Sequence, residues 1–276
     1  MYTTDTKEPL NFFSEFVSSN YFFSHPSLRT IHEGIFPYWQ ELLEQFIASQ
    51  IPVELLTGGV GNGKSTAQMF QLAYDYFNLQ LLPDPNETLQ MPGELYFCVA
   101  SAYPSSLVYI SQQLDRYFFQ SPFVKDLKKA GKFKENIRLI TTTYSAREKL
   151  RNLNIVSLLL DDCRTSHQQE IKDCWQFFKS KGSTGFGTYR HFLINSSLSE
   201  VHAFDFLTDK FLRTKIFKDF APSWVARDPD AISDPTFDVQ IDDKILQVPL
   251  WYEQMFRDDR KSFLETYCGL KESKRG

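Results

Sequence analysis

The chain has 276 residues, 30 basic and 34 acidic side chains, a formal charge of −4 and 42% apolar residues. Only 12 glycines stand against 26 phenylalanines, so there is material for a sizeable core, which excludes a disordered, collagenous or linker-like chain. The charge balance excludes a uniformly basic nucleic-acid coat and leaves only local basic patches.

Residues 1–50 are rich in aromatics: Phe12, Phe13, Phe16, Tyr21, Phe22, Phe23, Phe36, Tyr38 and Trp39. Helical spacing over 38–48 puts Trp39, Leu42, Leu43 and Phe46 on one side, and Pro52 ends it. VELLT (53–57) predicts a short buried strand, and a helical pattern follows from Ser65 through Met69, Leu72, Ala73 and Tyr76. Residues 82–93 read as a loop by their Pro, Asn and Asp content. Residues 94–101 predict a strand, 105–120 a helix and 137–143 an edge strand. A basic segment lies at 124–136. IVSLLLDD (155–162) is a continuous apolar run ending in two carboxylates, as in a fully buried parallel strand. Residues 167–180 predict a helix, 182–187 (GSTGFG) a flexible loop, 191–197 another buried strand, and 215–226 one more. In the tail, 248–270 reads as one or two amphipathic helices. Alternating strands and helices predict an α/β fold, a central mostly parallel sheet flanked by helices. Strands near 53–57, 94–100, 155–160 and 191–196 are expected at its centre.

The four cysteines, at 98, 163, 174 and 268, form no CxxC. They predict neither a disulfide framework nor a structural zinc site, and a reducing compartment. The five histidines show no ligand spacing. MYTTDTKEPL has no basic n-region and no apolar h-region, and no apolar run approaches ~18 residues. A soluble intracellular protein is expected, with no membrane partner.

Residues 58–65 read GGVGNGKS and satisfy G-x-x-x-x-G-K-[ST]. A strand must turn tightly into a helix here. Glycines let backbone N–H groups converge on an anion, and the helix N-terminus adds its positive dipole end. Gly58, Gly59, Val60, Gly61, Asn62, Gly63, Lys64, Ser65 and Thr66 are the predicted nucleotide-binding residues. Lys64 is expected on the β and γ phosphates of ATP, and Ser65 in the shell of Mg²⁺.

Asp161 and Asp162 end an apolar strand, where ligands sit in open α/β sheets. Asp161 is the expected second Mg²⁺ ligand. Asp162 is the candidate for orienting the attacking water, with Glu170 a substitute. A whole strand, 94–100, falls between the loop strand and the Asp161 strand in the sequence. This points to an additional-strand P-loop NTPase rather than a metabolite kinase. Asn195, Ser196 and Ser197 end the next strand, where a γ-phosphate sensor would sit.

This ordered set resembles the large subunit of tailed-bacteriophage terminases, the DNA-packaging motor. The resemblance rests on GGVGNGKS, LLLDD, NSS and the late segment VPLWYEQMFRDDRKSFLETYCGL. It implies a RecA-like/terminase ATPase that drives double-stranded DNA into a procapsid in the cytoplasm of an infected bacterium. It further implies a portal protein and a small terminase subunit as partners, and self-association into a ring on the portal from isolated monomers. Asn195–Ser197 would match the family's coupling motif. The implied division is an aromatic helical extension (1–50), an ATPase core (51–227) and a segment (228–276) leading toward a nuclease domain. KESKRG stands where that domain begins, so no nuclease activity is expected from this chain. The chain departs from the family at Asp162, usually Glu, and in QFFKSKGS, which has lysines where arginine is frequent.

A neighbouring subunit's arginine completes such sites by spreading transition-state charge. Arg147 and Arg151 are the candidates, with Arg164 acting in cis as a third. Gln40, beside Trp39, is a candidate adenine reader. Lys125, Lys128, Lys129, Lys132 and Lys134 are the candidate DNA contacts, though a solvated helix face explains them equally well. The alternatives in function are another DNA-dependent, helicase-like ATPase and a nucleotide-gated binding module with little turnover.

Overall fold

The computed structural model describes Phe13, Phe16, and residues 21–22, 37–59, 61–196, 214–225, 235–241 and 244–270. Val60 and Ser197 therefore lie outside the described residues. The elements in chain order are α1 (Pro37–Ser49), β1 (Val53–Gly58), α2 (Lys64–Leu81), α3 (Pro85–Leu89), β2 (Leu95–Ser101), α4 (Pro104–Leu114), α5 (Pro122–Lys129), β3 (Ile137–Thr143), β4 (Asn154–Asp161), α6 (Gln168–Lys179), β5 (Phe192–Asn195), β6 (Ile216–Ala221), β7 (Thr236–Ile241), β8 (Lys244–Pro249), α7 (Glu253–Asp258) and α8 (Arg260–Phe263).

Six strands form one sheet in the order β3-β2-β4-β5-β1-β6, and every pairing in it is parallel. All strands therefore end at one edge, where Gly58, Ser101, Asp161 and Asn195 come together. The strand separating β1 from β4 in space is β5. The strand predicted at 94–100 is β2, and it sits on the far side of β4. The apolar strand interiors explain the architecture, because a parallel sheet is covered on both faces.

One face is packed by α6. Ile171, Cys174, Trp175 and Phe178 meet Val53, Leu55, Ile155, Leu158, Leu160, Phe192 and Ile194 in one buried cluster. The other face is packed by α2, which is enclosed on all sides: every residue from Ala67 to Gln80 is buried. On its outer side Phe70, Tyr74 and Phe77, spaced i, i+4 and i+7, meet Phe16 with ring centroids 5.6–6.4 Å apart. Phe22 also packs on Phe77. Aromatic pairs of this geometry add to the area they bury.

Three local expectations need correction. Residues 82–93 are not a plain loop, because Asp84 accepts a hydrogen bond from the Glu87 N–H and Pro85 starts the short helix α3. Pro at the first helical turn and Asp at the N-cap are both helix-starting signals. The tail is not helical from 248. Val248 and Pro249 end β8, which pairs with β7 as an antiparallel hairpin. The GSTGFG segment is a tight packed turn instead of a flexible loop. The Gly185 carbonyl accepts from the N–H groups of Thr188, Tyr189 and Arg190, and buried Arg190 donates to the carbonyls of Gly182, Phe178 and Ile155. A Cβ on Gly187 would lie 1.9 Å from the Gln50 carbonyl oxygen.

Among the described residues, no helix is long and apolar enough to cross a membrane.

Candidate functional site

The glycine-rich loop joins β1 to α2 at the C-terminal edge of the sheet. Its glycines do two different jobs. Gly61 (φ 73°) and Gly63 (φ 93°) take left-handed turn conformations that a Cβ disfavours. Gly58 and Gly59 are needed for close packing: a Cβ there would sit 1.9 Å from the Ala221 oxygen and 2.1 Å from the Tyr267 oxygen. The end of β6 and the late Tyr267–Gly269 segment thus brace the back of the loop. Gly63, the N-cap of α2, brings no capping side chain, so the dipole end of the helix faces the loop.

Asn62 ties the loop together. Its Nδ2 donates to the Ala221 carbonyl at 2.7 Å, and its own carbonyl accepts from Trp39 Nε1 at 2.6 Å. Its Oδ1 accepts from Lys64 Nζ at 2.9 Å and from the Lys64 N–H at 3.3 Å. Lys64 Nζ also donates to the carbonyls of Gly59 (2.7 Å) and Gly58 (3.3 Å). Burial pulls its pKa down to about 8, against the opposing charges of Asp161 and Asp162.

Ser65 Oγ donates to Asp161 Oδ1 at 2.7 Å, although the two residues are on different elements with β5 between β1 and β4. Asn195, at the end of β5, joins them. Its Nδ2 donates to the same Asp161 oxygen at 3.0 Å, and its Oδ1 accepts from the Asp162 N–H at 3.0 Å. Burial raises the Asp161 pKa, and the hydrogen bonds from Ser65 and Asn195 oppose that rise. Asp162 has φ 54°. The strand has already curled there, so two adjacent carboxylates escape the strict alternation of an extended strand. Arg164 Nη2 lies 3.7 Å from Asp162 Oδ2, and its guanidinium stacks over Tyr103. Tyr144 OH donates to the Asp161 carbonyl at 2.7 Å, and Ser196 Oγ to the Cys163 carbonyl at 2.7 Å, holding this strand end in place.

The remaining candidates lie away from this cluster. Gln40 donates to Glu44 on its own helix at 3.1 Å. The contact from α1 to the loop is made by its neighbour Trp39. Arg147 is committed within its own chain: it pairs with Asp173 at 2.8 Å and donates to the Tyr144 carbonyl. Arg151 pairs with Glu148 at 2.8 Å and lies over Phe177, well down α6 from the strand ends. Glu170 sits in the first turn of α6; burial lowers the pKa of His167, and the charge of Glu170 only partly opposes that fall.

The lysine run is placed apart from the loop. Lys125, Lys128 and Lys129 are on α5, and Lys132 and Lys134 follow it. Lys134 Nζ donates to the Gln80 carbonyl at 2.6 Å, at the far end of α2 from Lys64. Sixteen helical residues separate Lys64 from Gln80, about 24 Å at 1.5 Å each. Lys128 covers the Phe133 ring, and Lys129 lies 4.0 Å from Asp126.

Sequence reasoning missed a polar seam beneath the site. On the sheet side of α2, Gln68 donates to Glu54 Oε2 (3.0 Å) and to the Ile194 carbonyl (3.0 Å), and it accepts from Asn195 Nδ2 at 3.1 Å. Gln71 and Ser157 donate to Asp75, and His191 Nδ1 lies 2.9 Å from the same carboxylate. Burial pushes Glu54 up to about 8. For His191 burial works downward, but the charge and hydrogen bond of Asp75 win and raise it. The available signal was the spacing of Lys64, Gln68, Gln71 and Asp75 at i, i+4, i+7 and i+11, which puts four polar residues on one helical face. The lone Glu54 inside an apolar strand was the second.

Ser65 and Asp161 offer hard oxygen ligands of the kind Mg²⁺ takes, leaving room for phosphate oxygens and water. Among the described residues, no three His, Cys, Asp or Glu side chains gather as a separate metal centre. No protein-family model matches the sequence, and no curated protein matches it.

Proposed function

We propose that this chain is a P-loop ATP hydrolase of the additional-strand type, the ATPase motor domain of a terminase-like machine that moves double-stranded DNA. The observation that carries the reading is the 2.7 Å contact between Ser65 Oγ and Asp161 Oδ1, braced by Asn195. Chance glycine turns do not bring the hydroxyl of a G-x-x-x-x-G-K-[ST] loop onto a strand-end carboxylate across an intervening strand. The ordered set of terminase-like motifs supplies the motor assignment.

In this reading ATP lies on the loop with its phosphates against the N-terminus of α2. Ser65 and Asp161 would hold Mg²⁺, which when bound neutralises charge on the phosphate oxygens. Lys64 exchanges the carbonyls of Gly58 and Gly59 for the β and γ phosphates, whose negative charge raises its lowered pKa again. Asp162 orients a water in line with the γ phosphorus. The water's oxygen–phosphorus bond forms, the bond to the bridging oxygen breaks, and ADP leaves; the water's proton passes to Asp162 and on to solvent. Asn195 touches the Asp161 carboxylate and the Asp162 N–H, so loss of the γ phosphate registers at Asn195 and passes into β5. In a ring, Arg151 is the candidate for a neighbour's site and Arg164 for the site of its own chain.

One observation favours a second reading. Arg164 Nη2 lies 3.7 Å from Asp162 Oδ2 and competes with a water for that oxygen, which suits a nucleotide-gated binding module with little turnover. ATP binding and hydrolysis by wild type and Lys64→Ala, across protein concentration and with and without duplex DNA, separates these. Turnover per chain that rises with concentration and is lost in the variant supports the motor. Lys64-dependent binding without turnover under any of these conditions supports the module. Equal nucleotide binding by both proteins overturns both readings.

A further inference from the structure

Beneath the carboxylates lies a buried path that the reaction above does not use. Asn195 has one amide group and holds two things with it: the Asp161 carboxylate through Nδ2 and the Asp162 N–H through Oδ1. An amide so placed works only in one of its two flip states. Reversed, the carbonyl oxygen would face a carboxylate, and the NH₂ would face an N–H donor. Gln68 locks the same state from beneath, because its Oε1 accepts from the same Asn195 Nδ2 at 3.1 Å.

Gln68 has the same ambiguity, and it too is settled by its neighbours. Its Nε2 donates to the Ile194 carbonyl and to Glu54 Oε2, both at 3.0 Å. A backbone carbonyl can only accept, so the Gln68 NH₂ must point there and its oxygen must point to Asn195. Both side chains are fully buried, as is Glu54, so no water competes for these bonds. Donation thus runs inward from the Asp162 N–H through Asn195 and Gln68 to Glu54 and the Ile194 carbonyl, with one branch from Asn195 Nδ2 out to the Asp161 carboxylate.

We infer that Gln68, held by Glu54, is a positioning residue that fixes the Asn195 amide and through it the placement of Asp161 and Asp162. The inference rests on the hydrolase reading for its consequence in catalysis, but not for its geometry. Gln68 lies one turn after Lys64 on the same helix. A shift of α2 when the loop takes up nucleotide is therefore carried to both carboxylates through one side chain.

The test uses the full chain as Gln68→Leu, Glu54→Leu and Glu54→Gln, with two readouts. The first needs no nucleotide: hydrogen exchange at the Asp162 N–H, with the Leu158 N–H, bonded to the His191 carbonyl in the sheet, as internal reference. The second is the Mg²⁺ concentration that half-saturates ATP binding. Loss of one buried hydrogen bond corresponds to about a tenfold change. Gln68→Leu and Glu54→Leu should each raise Asp162 exchange by about that factor while Leu158 keeps its protection, and raise the Mg²⁺ requirement similarly. Glu54→Gln keeps an oxygen for Gln68 and should stay close to wild type on both readouts. If Gln68→Leu does not fold, Gln68→Glu, which keeps the oxygen facing Asn195 and loses the NH₂, carries the same expectation. Unchanged Asp162 exchange in a folded Gln68 variant overturns the inference, as does parallel loss of protection at Asp162 and Leu158, which marks a merely structural role. Failure of wild type to bind ATP through Lys64 overturns the hydrolase reading alone, and the exchange readout still decides this one.

Discussion

The two faces of the sheet are built on opposite principles. Under α6 the contact is largely apolar, with Trp175, Phe178 and Ile171 against Leu158, Leu160, Phe192 and Ile194, and with the buried Arg190 at its far end. Under α2 a polar seam runs through the core, in which Gln68, Gln71 and Asp75 meet Glu54, Ser157, His191 and Asn195. The apolar face gains from burial alone. The polar face gains little net stability from its hydrogen bonds, but it is costly to leave any of them unmade. Such a seam specifies one arrangement, and this one ends at Asp161. The comparison teaches that stability and site geometry are assigned to different sides of the same strands.

The largest expected effect lies on the apolar face. Phe178→Ala should lower unfolding free energy by about 3–5 kcal/mol through lost burial and a cavity beside Trp175 and Phe192. Nucleotide affinity of the molecules that remain folded should stay within about twofold, since Phe178 touches nothing at the strand ends. Denaturant melts alongside nucleotide titration check this. A large change in affinity would mean that the two faces are not separate.

The next effect is on the polar face and depends on pH. The folded-state pKa of Glu54 is raised from 4.5 to about 8. Between those values the folded chain holds a proton that the unfolded chain has released. The stability from Glu54 is therefore full below the lower value and lost as pH rises through the upper one. The slope is up to about 1.4 kcal/mol per pH unit. Glu54→Gln cannot titrate, so its stability relative to wild type should climb from pH 5 to pH 8 and then level off. His191 titrates in both proteins and drops out of the difference to first order. A constant difference over that range would show that Glu54 is not protonated in the fold.

The smallest effects belong to the exposed arginine. Arg151→Ala should change stability by less than about 1 kcal/mol, because its pair with Glu148 is solvent-exposed. Arg147→Ala should cost more, since its half-buried pair with Asp173 is lost and that carboxylate keeps only its hydrogen bond from Gln169. If Arg151→Ala nevertheless lowers turnover only at high protein concentration, a neighbour's site is being completed.

Much of the fold was legible because the strands are short apolar runs and the helices between them are periodic. The loop was legible because its chemistry is local: a tight turn, glycines and a lysine within eight consecutive residues. The strand order was not. β5 inserts between β1 and β4, and nothing in the local sequence says which neighbour a buried strand will choose. The β7–β8 hairpin was missed because its strands are only six residues each and β8 alternates weakly, although Phe237, Val239 and Ile241 alternate with polar residues along β7. Arg147 and Gln40 looked like site residues because an arginine or glutamine carries its chemistry in any setting. Asp173 and Glu44, which occupy them, came near only on folding.

By itself the sequence determined the α/β class, the glycine-rich loop and the carboxylate pair, since each rests on residue types within one short segment. Tertiary structure alone decided that Ser65 meets Asp161, that Asn195 joins them, and that a polar seam under α2 holds Asn195 in its working orientation. Those contacts span 34 to 130 positions in the chain. Only the closing of the parallel sheet brings such distant side chains within reach of a hydrogen bond.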